Sequence, residues 1–298
     1  MAPTAFNLAE FLAAERLPEA FGETVRRLLV PLVGKIAEAP AARVRPLVVG
    51  VTGPQGSGKS TAAAALAGLL AAEGFRAAVL ALDDLYLPRA ERARLAREVH
   101  PLLAVRGVPG THDAALGRAL LESLGRPGET RLPTFDKASD DRVAPDLWRS
   151  VPGPVDVVLF EGWCVGARPQ SPEVLAKPAN ALERERDPDG RWRGFANQAL
   201  AGLYQALFAP IGFQVLLRPP SFETVIVWRQ EQERRLRQRL SERGETGGMS
   251  DTEVARFVRH YERLTRHIDA EMPARADVSA RLDAQRRLVA IEGLGGDF

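Results

Sequence analysis

The stretch VVGVTGPQGSGKST at positions 48–61 constrains this chain more than any other. Gly53, Gly58, Lys59 and Ser60 stand at the G-x-x-x-x-G-K-S/T spacing of a phosphate-binding loop. A valine-rich run precedes it and an alanine-rich helical pattern follows, which is the strand–loop–helix context the motif requires. Glycines let backbone N–H groups turn inward on phosphate oxygens, and the helix N-terminus adds partial positive charge. The expected cradle is Gly53, Pro54, Gln55, Gly56, Ser57, Gly58, Lys59, Ser60 and Thr61, holding the phosphates of ATP. Lys59 is placed to reach the β- and γ-phosphates, and the Ser60 hydroxyl to ligate Mg²⁺.

Such a loop needs a buried parallel sheet behind it. Apolar runs at 47–51, 77–82, 155–160, 213–217 and 288–291 read as strands buried on both faces. Helical patterns at 60–73, 89–99, 113–124, 221–243 and 251–268 alternate with them. The alternation predicts an α/β fold with helices on both faces of the sheet. Residues 1–45 form a helical prelude with an apolar stripe of Val25, Leu28, Leu29, Leu32 and Val33. Segments 125–154 and 166–196 show little periodicity and read as irregular insertions.

Binding a triphosphate leaves the fate of the phosphate open, and the next strand ends narrow it. The second run ends in AVLALDDLYLP (78–88), which puts Asp83 and Asp84 at the ligand crevice of an open parallel sheet. A carboxylate there can accept the proton of an attacking hydroxyl. The residues alone leave a second role open, that of capping the following helix. The third run, VDVVLFEGW (155–163), reaches Glu161, an acid placed to orient Mg²⁺ or its waters. Trp163 and Cys164 read as packing residues. No N/T-K-x-D stretch, the guanine-reading motif of GTPases, is present.

The set VGVTGPQGSGKST, LDDLYL, RGVPGTHD, LPTFDKASDDR and VLFEGW, in that order, resembles the plant-type D-glycerate 3-kinases and their bacterial and fungal relatives. These sit in the wider group of P-loop kinases that contains uridine kinase, phosphoribulokinase and pantothenate kinase. The likeness spans about residues 45 to 270. It implies a P-loop kinase fold of about five parallel strands with a helical lid, and phosphorylation of the primary hydroxyl of glycerate by Mg-ATP. By position, Asp83 corresponds to the general base, Lys59 and Ser60 to the P-loop lysine and metal-ligating hydroxyl, and Glu161 to the following acid. Leu85 departs from the Phe common among the relatives, and the stretch at 177–197 also departs from the family pattern, so its residues take no role from the resemblance.

The resemblance makes RGVPGTHD (106–113) part of an acceptor pocket. Arg106 offers a fork of donors suited to a carboxylate, while Thr111, His112 and Asp113 can hold hydroxyls. Asp113 could equally cap the helix that follows. Tyr86, within LDDLYL, joins the expected substrate-binding set. Lys137 and Arg142, in FDKASDDR, form a second cationic cluster on an irregular segment. The arginine-rich stretch 228–250 matches a lid, in which Arg235 and Arg239 are the candidates for reaching the phosphates. The expected organisation is a helical extension over 1–45 and a kinase domain over 46–298, with acceptor-site insertions near 100–150 and 166–208.

Composition excludes several other classes. The formal net charge is only +2, and the arginine cluster lacks interleaved aromatics, so a nucleic-acid partner is not expected. Cys164 is the single cysteine, which rules out an internal disulfide framework and suits a reducing compartment. The first residues lack a signal-peptide pattern and no apolar run is long enough to span a bilayer. The expectation is a cytoplasmic enzyme with a small hydroxy-acid substrate. The alternatives are a kinase of another small acceptor (pantothenate, a nucleoside or a sugar phosphate) and an accessory ATPase without an acceptor.

Overall fold

The computed structural model describes residues 5–39, 46–244 and 246–294. The chain opens with helix α1 (Leu8–Ala14), then helix α2, a run over 21–38 that includes the π-helical turn Val25–Leu29. Strand β1 (Leu47–Thr52), the P-loop and helix α3 (Lys59–Ala72) follow. Next come β2 (Ala77–Ala81), α4 (Arg89–Glu98) and α5 (Ala114–Leu124). Beyond them lie β3 (Gly128–Leu132), β4 (Phe135–Asp136), β5 (Asp141–Arg142), β6 (Arg149–Gly153) and β7 (Val157–Gly162). A helical insert carries α6 (Pro172–Ala176), α7 (Ala181–Arg186) and α8 (Arg191–Ala199), the last running on through 200–208. The chain then adds β8 (Ile211–Arg218), α9 (Phe222–Glu242), α10 (Asp251–Val258), α11 (Glu262–Glu271), β9 (Val278–Leu282) and β10 (Leu288–Glu292).

The main sheet has the order β10-β9-β8-β1-β7-β2. Five strands run parallel, and β10 pairs antiparallel with β9. Alternate side chains of each strand enter separate cores. Val48, Leu80, Val158, Phe160 and Leu216 meet α5 and the 200–208 segment. Val49, Val51, Leu159, Phe213 and Val215 meet α3 and the stripe Val25, Leu28, Leu29, Leu32 and Val33 of α2. Both faces are covered, as continuous Val/Leu strands demand. Helix α3 is apolar nearly all round, and its small alanines let it lie close to the sheet: Ala63 and Ala65 are fully buried.

Several sequence expectations change here. The run at 288–291 is a half-exposed antiparallel edge, not a strand buried on both faces. Strand β9 is a parallel strand the sequence hid, because VSARL mixes polar and apolar residues. The helix expected over 251–268 breaks at 259–261 into α10 and α11. The segments read as irregular contain order of their own: β3 pairs with β6, β4 with β5, and α6, α7 and the start of α8 fill 172–196.

Candidate active site

Parallel strands place the site at their C-terminal edge, where the chain leaves β1 between its neighbours β7 and β8. Gly56 adopts φ +79, and α9 crosses directly above it: a Cβ there would sit 2.5 Å from the Cβ of Trp228. That close approach ties the P-loop to α9. Arg286, in the β9–β10 turn, completes the clamp by donating Nε–H to the Gly56 carbonyl at 2.6 Å and pairing with Glu231 at 2.8 Å. Two P-loop oxygens, Gln55 Oε1 and Ser57 Oγ, are buried with no partner among the described residues.

Beside the cradle, the Ser60 hydroxyl donates to Glu161 Oε1 at 2.7 Å, which joins α3 to the end of β7. A hydroxyl and a carboxylate are hard oxygen donors, and Mg²⁺ normally takes only one or two protein ligands, with phosphate and water completing its shell. The pair fits that ion. No cluster of three or more His, Cys, Asp or Glu able to hold a metal occurs among the described residues, so a preformed all-protein cage is absent from them.

Asp83 is the second residue of the short helical turn Leu82–Leu85 at the end of β2. Its Oδ2 accepts from Lys137 Nζ at 2.7 Å and its Oδ1 from Tyr86 Oη at 2.9 Å. Burial by itself would raise this carboxyl. The Lys137 and Lys59 ammonium groups and the two hydrogen bonds outweigh that effect and hold it well below the usual carboxylate range. Asp83 is therefore ionised at neutral pH. Asp84 plays a different part: its Oδ1 accepts from Phe135 N at 3.0 Å and anchors β4, and burial raises its pKa. Two adjacent acids thus have separate jobs, one ionised in the crevice and one supporting the wall.

The RGVPGTHD loop is shaped from within. Thr111, fully buried, accepts from Gly107 N at 2.9 Å and donates to Val108 O at 2.7 Å, so its hydroxyl braces the loop. Gly107 has φ +133, and any Cβ there would collide with the Tyr261 ring. Tyr261 Oη donates to Arg106 O at 2.8 Å, and Trp163 Nε1 to Gly107 O at 2.9 Å. Asp113 caps α5, accepting from Leu116 N at 2.9 Å. His112 is 4% exposed, stacks on Tyr86 with ring centroids 4.5 Å apart, and meets Tyr204 Oη through Nδ1 at 2.5 Å. Burial pushes its pKa down to about 3, so the imidazole is neutral.

Not every expected residue reaches the crevice as the sequence suggested. Arg106 already pairs with a carboxylate, that of Asp140, which Arg92 also holds at 2.9 Å. Asp140 sits at φ +56, a left-handed conformation that lets the 136–141 turn present its side chain to both arginines. Arg142 donates to the carbonyls of Leu85 and Tyr86, at 3.3 and 2.8 Å, and so steadies the segment that carries Asp83. Arg235 and Arg239 are exposed on α9. They lie about 10 and 16 Å along the helix beyond Trp228 at 1.5 Å per residue, and among the described residues no hydrogen bond joins them to the P-loop. Sequence reasoning missed Tyr204, Tyr261, Arg92, Asp140 and Arg286. Their partners lie far away in the sequence or in backbone groups, so no local spacing announces them.

A P-loop at the mouth of β1, an acid after β2 and a hydroxyl–carboxylate pair joining α3 to the end of β7 define a P-loop kinase on an α/β sheet. Comparison with known proteins sharpens the class. "Uncharacterized kinase mug58" of Schizosaccharomyces pombe is 34% identical over 241 residues, covering 76% of this chain and 82% of that protein. The chloroplastic D-glycerate 3-kinase of Arabidopsis thaliana is 32% identical over 229 residues, 73% of this chain but 46% of that protein, so the chain spans about half its length. The solved D-glycerate 3-kinase from Cryptococcus neoformans var. grubii superposes with a TM-score of 0.69 at 29% identity, covering 89% of this chain and 99% of that one. The YGR205w protein superposes with a TM-score of 0.68 at 23% identity, over 91% and 95% of the two chains, and shares the fold. The chain belongs to the P-loop kinase family that includes the D-glycerate 3-kinases. The pattern of the methylmalonyl Co-A mutase-associated GTPase MeaB family also matches, over residues 28–87 only, a stretch centred on the P-loop. No helix among the described residues is long and apolar enough to cross a membrane.

Proposed function

We propose that this protein transfers the γ-phosphoryl group of ATP to the 3-hydroxyl of D-glycerate, with Asp83 as the acceptor of the hydroxyl proton. The observation that carries the reading is the ionised Asp83, gripped by Lys137 and Tyr86 at the end of β2 beside the P-loop lysine. The family's named D-glycerate 3-kinases support the choice of acceptor.

Phosphoryl transfer passes through a loose transition state, so the protein's work is positioning and charge stabilisation more than strong base catalysis. A strongly held, weakly basic Asp83 suits that chemistry. It orients the attacking hydroxyl and collects the proton late, when bond formation has made it acidic. Lys59 faces the phosphates, and backbone N–H groups of the cradle bind their oxygens. Ser60 and Glu161 would hold Mg²⁺, which when bound supplies positive charge to the β- and γ-phosphate oxygens. Lys137, 60% exposed on its hairpin, can leave Asp83 for the charge of an incoming substrate. Arg106 is to share its fork between Asp140 and the acceptor carboxylate, with His112 as a further contact. The exposed Arg235 and Arg239 would serve the phosphates only after α9 moves.

Asp83→Asn keeps the shape and the Tyr86 contact but removes the charge. The expected result is ATP binding close to wild type with kcat lower by about 10²-fold or more, read as ADP release in the presence of D-glycerate. Turnover near the wild-type rate would refute the assignment of Asp83.

A further inference from the structure

We propose that Tyr204 is a positioning residue that fixes His112 as its Nε2–H tautomer, so that the imidazole offers a donor, not an acceptor, to an oxygen of the phosphoryl acceptor. The inference rests on the reading of His112 as an acceptor contact given above, and it adds which nitrogen works and what sets it.

Tyr204 is 1% exposed, on the insert segment 200–204, and reaches back to the RGVPGTHD loop. Its Oη accepts from Gly110 N at 3.0 Å. The phenol is buried and its ionisation is driven well above the ordinary value, so it keeps its proton, and that proton needs an acceptor. His112 Nδ1, at 2.5 Å, is the one contact of Tyr204 Oη among the described residues that can accept it. A neutral imidazole has a single N–H. If Nδ1 accepts from the phenol, the proton is on Nε2. The reverse arrangement, Nδ1–H donating to Oη, would leave the phenol proton buried without a partner.

The chain of contacts then leads towards the reacting centre. The His112 ring stacks on Tyr86, and Tyr86 donates to Asp83, so the imidazole stands one ring away from the acid. His112 Nε2 is buried and has no partner among the described residues. A buried N–H left unmet is costly, and an oxygen lone pair brought to it recovers that cost. The ligand chemistry it selects is a carboxylate or hydroxyl oxygen; an ammonium or amide N–H at the same place would face another donor. Tyr204 lies on the insert, which gives that segment a part in acceptor recognition without touching the acceptor.

The test is two-bond ¹H–¹⁵N correlation on protein labelled at histidine, which carries four such residues, with His112→Gln to assign the signal. The expected pattern is Nε2–H for His112 at any pH between about 5 and 8, in the absence of any acceptor. In Tyr204→Phe the signal is expected to shift towards the Nδ1–H form, with the acceptor KM raised about tenfold and the ATP KM unchanged. An Nδ1–H pattern in the wild type overturns the proposal, as does a folded Tyr204→Phe with unaltered tautomer and acceptor KM. Should Tyr204→Phe not fold, the wild-type spectrum alone decides. The tautomer is read without substrate, so a protein inactive on D-glycerate counts against the proposed function and leaves this result standing.

Discussion

Asp83 and His112 flank the Tyr86 ring with opposite charge logic, and both are set by what surrounds them. Burial acts against the charged form of each. At Asp83 two lysines overcome it; at His112 no partner does, and the ring stays neutral down to about pH 3. The unfolded chain would protonate this histidine near its ordinary value of 6.5. Between these two values the unfolded state binds one proton more than the folded state, so stability falls as the pH falls from 6.5 towards 3. The slope is about 1.4 kcal/mol for each pH unit. It is fully absent above 6.5. His112→Gln should lose this slope, and urea unfolding of both proteins at several pH values between the two limits would show it. Parallel stability curves would mean that His112 is protonated in the folded protein.

At the scale of elements, the junction of the P-loop, α9 and the β9–β10 turn carries the most. Trp228 is fully buried, lies against Gly56, donates Nε1–H to Ala284 O at 2.7 Å, and has the Arg286 guanidinium 5.1 Å from its ring centroid. Trp228→Ala is expected to cost about 3–5 kcal/mol by the cavity it leaves. Because the loss falls on the cradle, the KM for ATP should rise more than that for the acceptor. Denaturation and steady-state kinetics check both parts, and a loss under about 1 kcal/mol would show that the junction is loose. The β4–β5 hairpin is the second telling element. It delivers Lys137 to Asp83 and Asp140 to Arg106, so a segment that reads as irregular Pro- and Asp-rich sequence walls the crevice.

For the whole molecule, legibility followed the range of the signal. The placement of the P-loop, Asp83 and Glu161 could be read because each lies within a few residues of an apolar strand, and strand ends in a parallel sheet converge on one edge. The Asp113 cap was equally local. Contacts closed across the fold could not be read: Tyr204 with His112, Tyr261 with Arg106, Arg286 with Gly56. The cationic residues were legible in kind but not in partner. Arg142 and Arg106 look like anion binders in sequence, and folding gives one to backbone carbonyls and the other to Asp140. Strand β9 was hidden because its buried Ser279 and exposed Arg281 break the apolar run.

The central claim is the transfer of phosphoryl from ATP to one hydroxyl of D-glycerate. ³¹P NMR of the purified protein with Mg-ATP tests it most directly, with D-glycerate, L-glycerate, pantothenate, uridine and ribulose 5-phosphate supplied in separate reactions. The predicted result is the phosphomonoester of 3-phosphoglycerate, growing with ADP, in the D-glycerate reaction alone. A phosphomonoester formed only from another acceptor, or inorganic phosphate released equally in every tube, would contradict it.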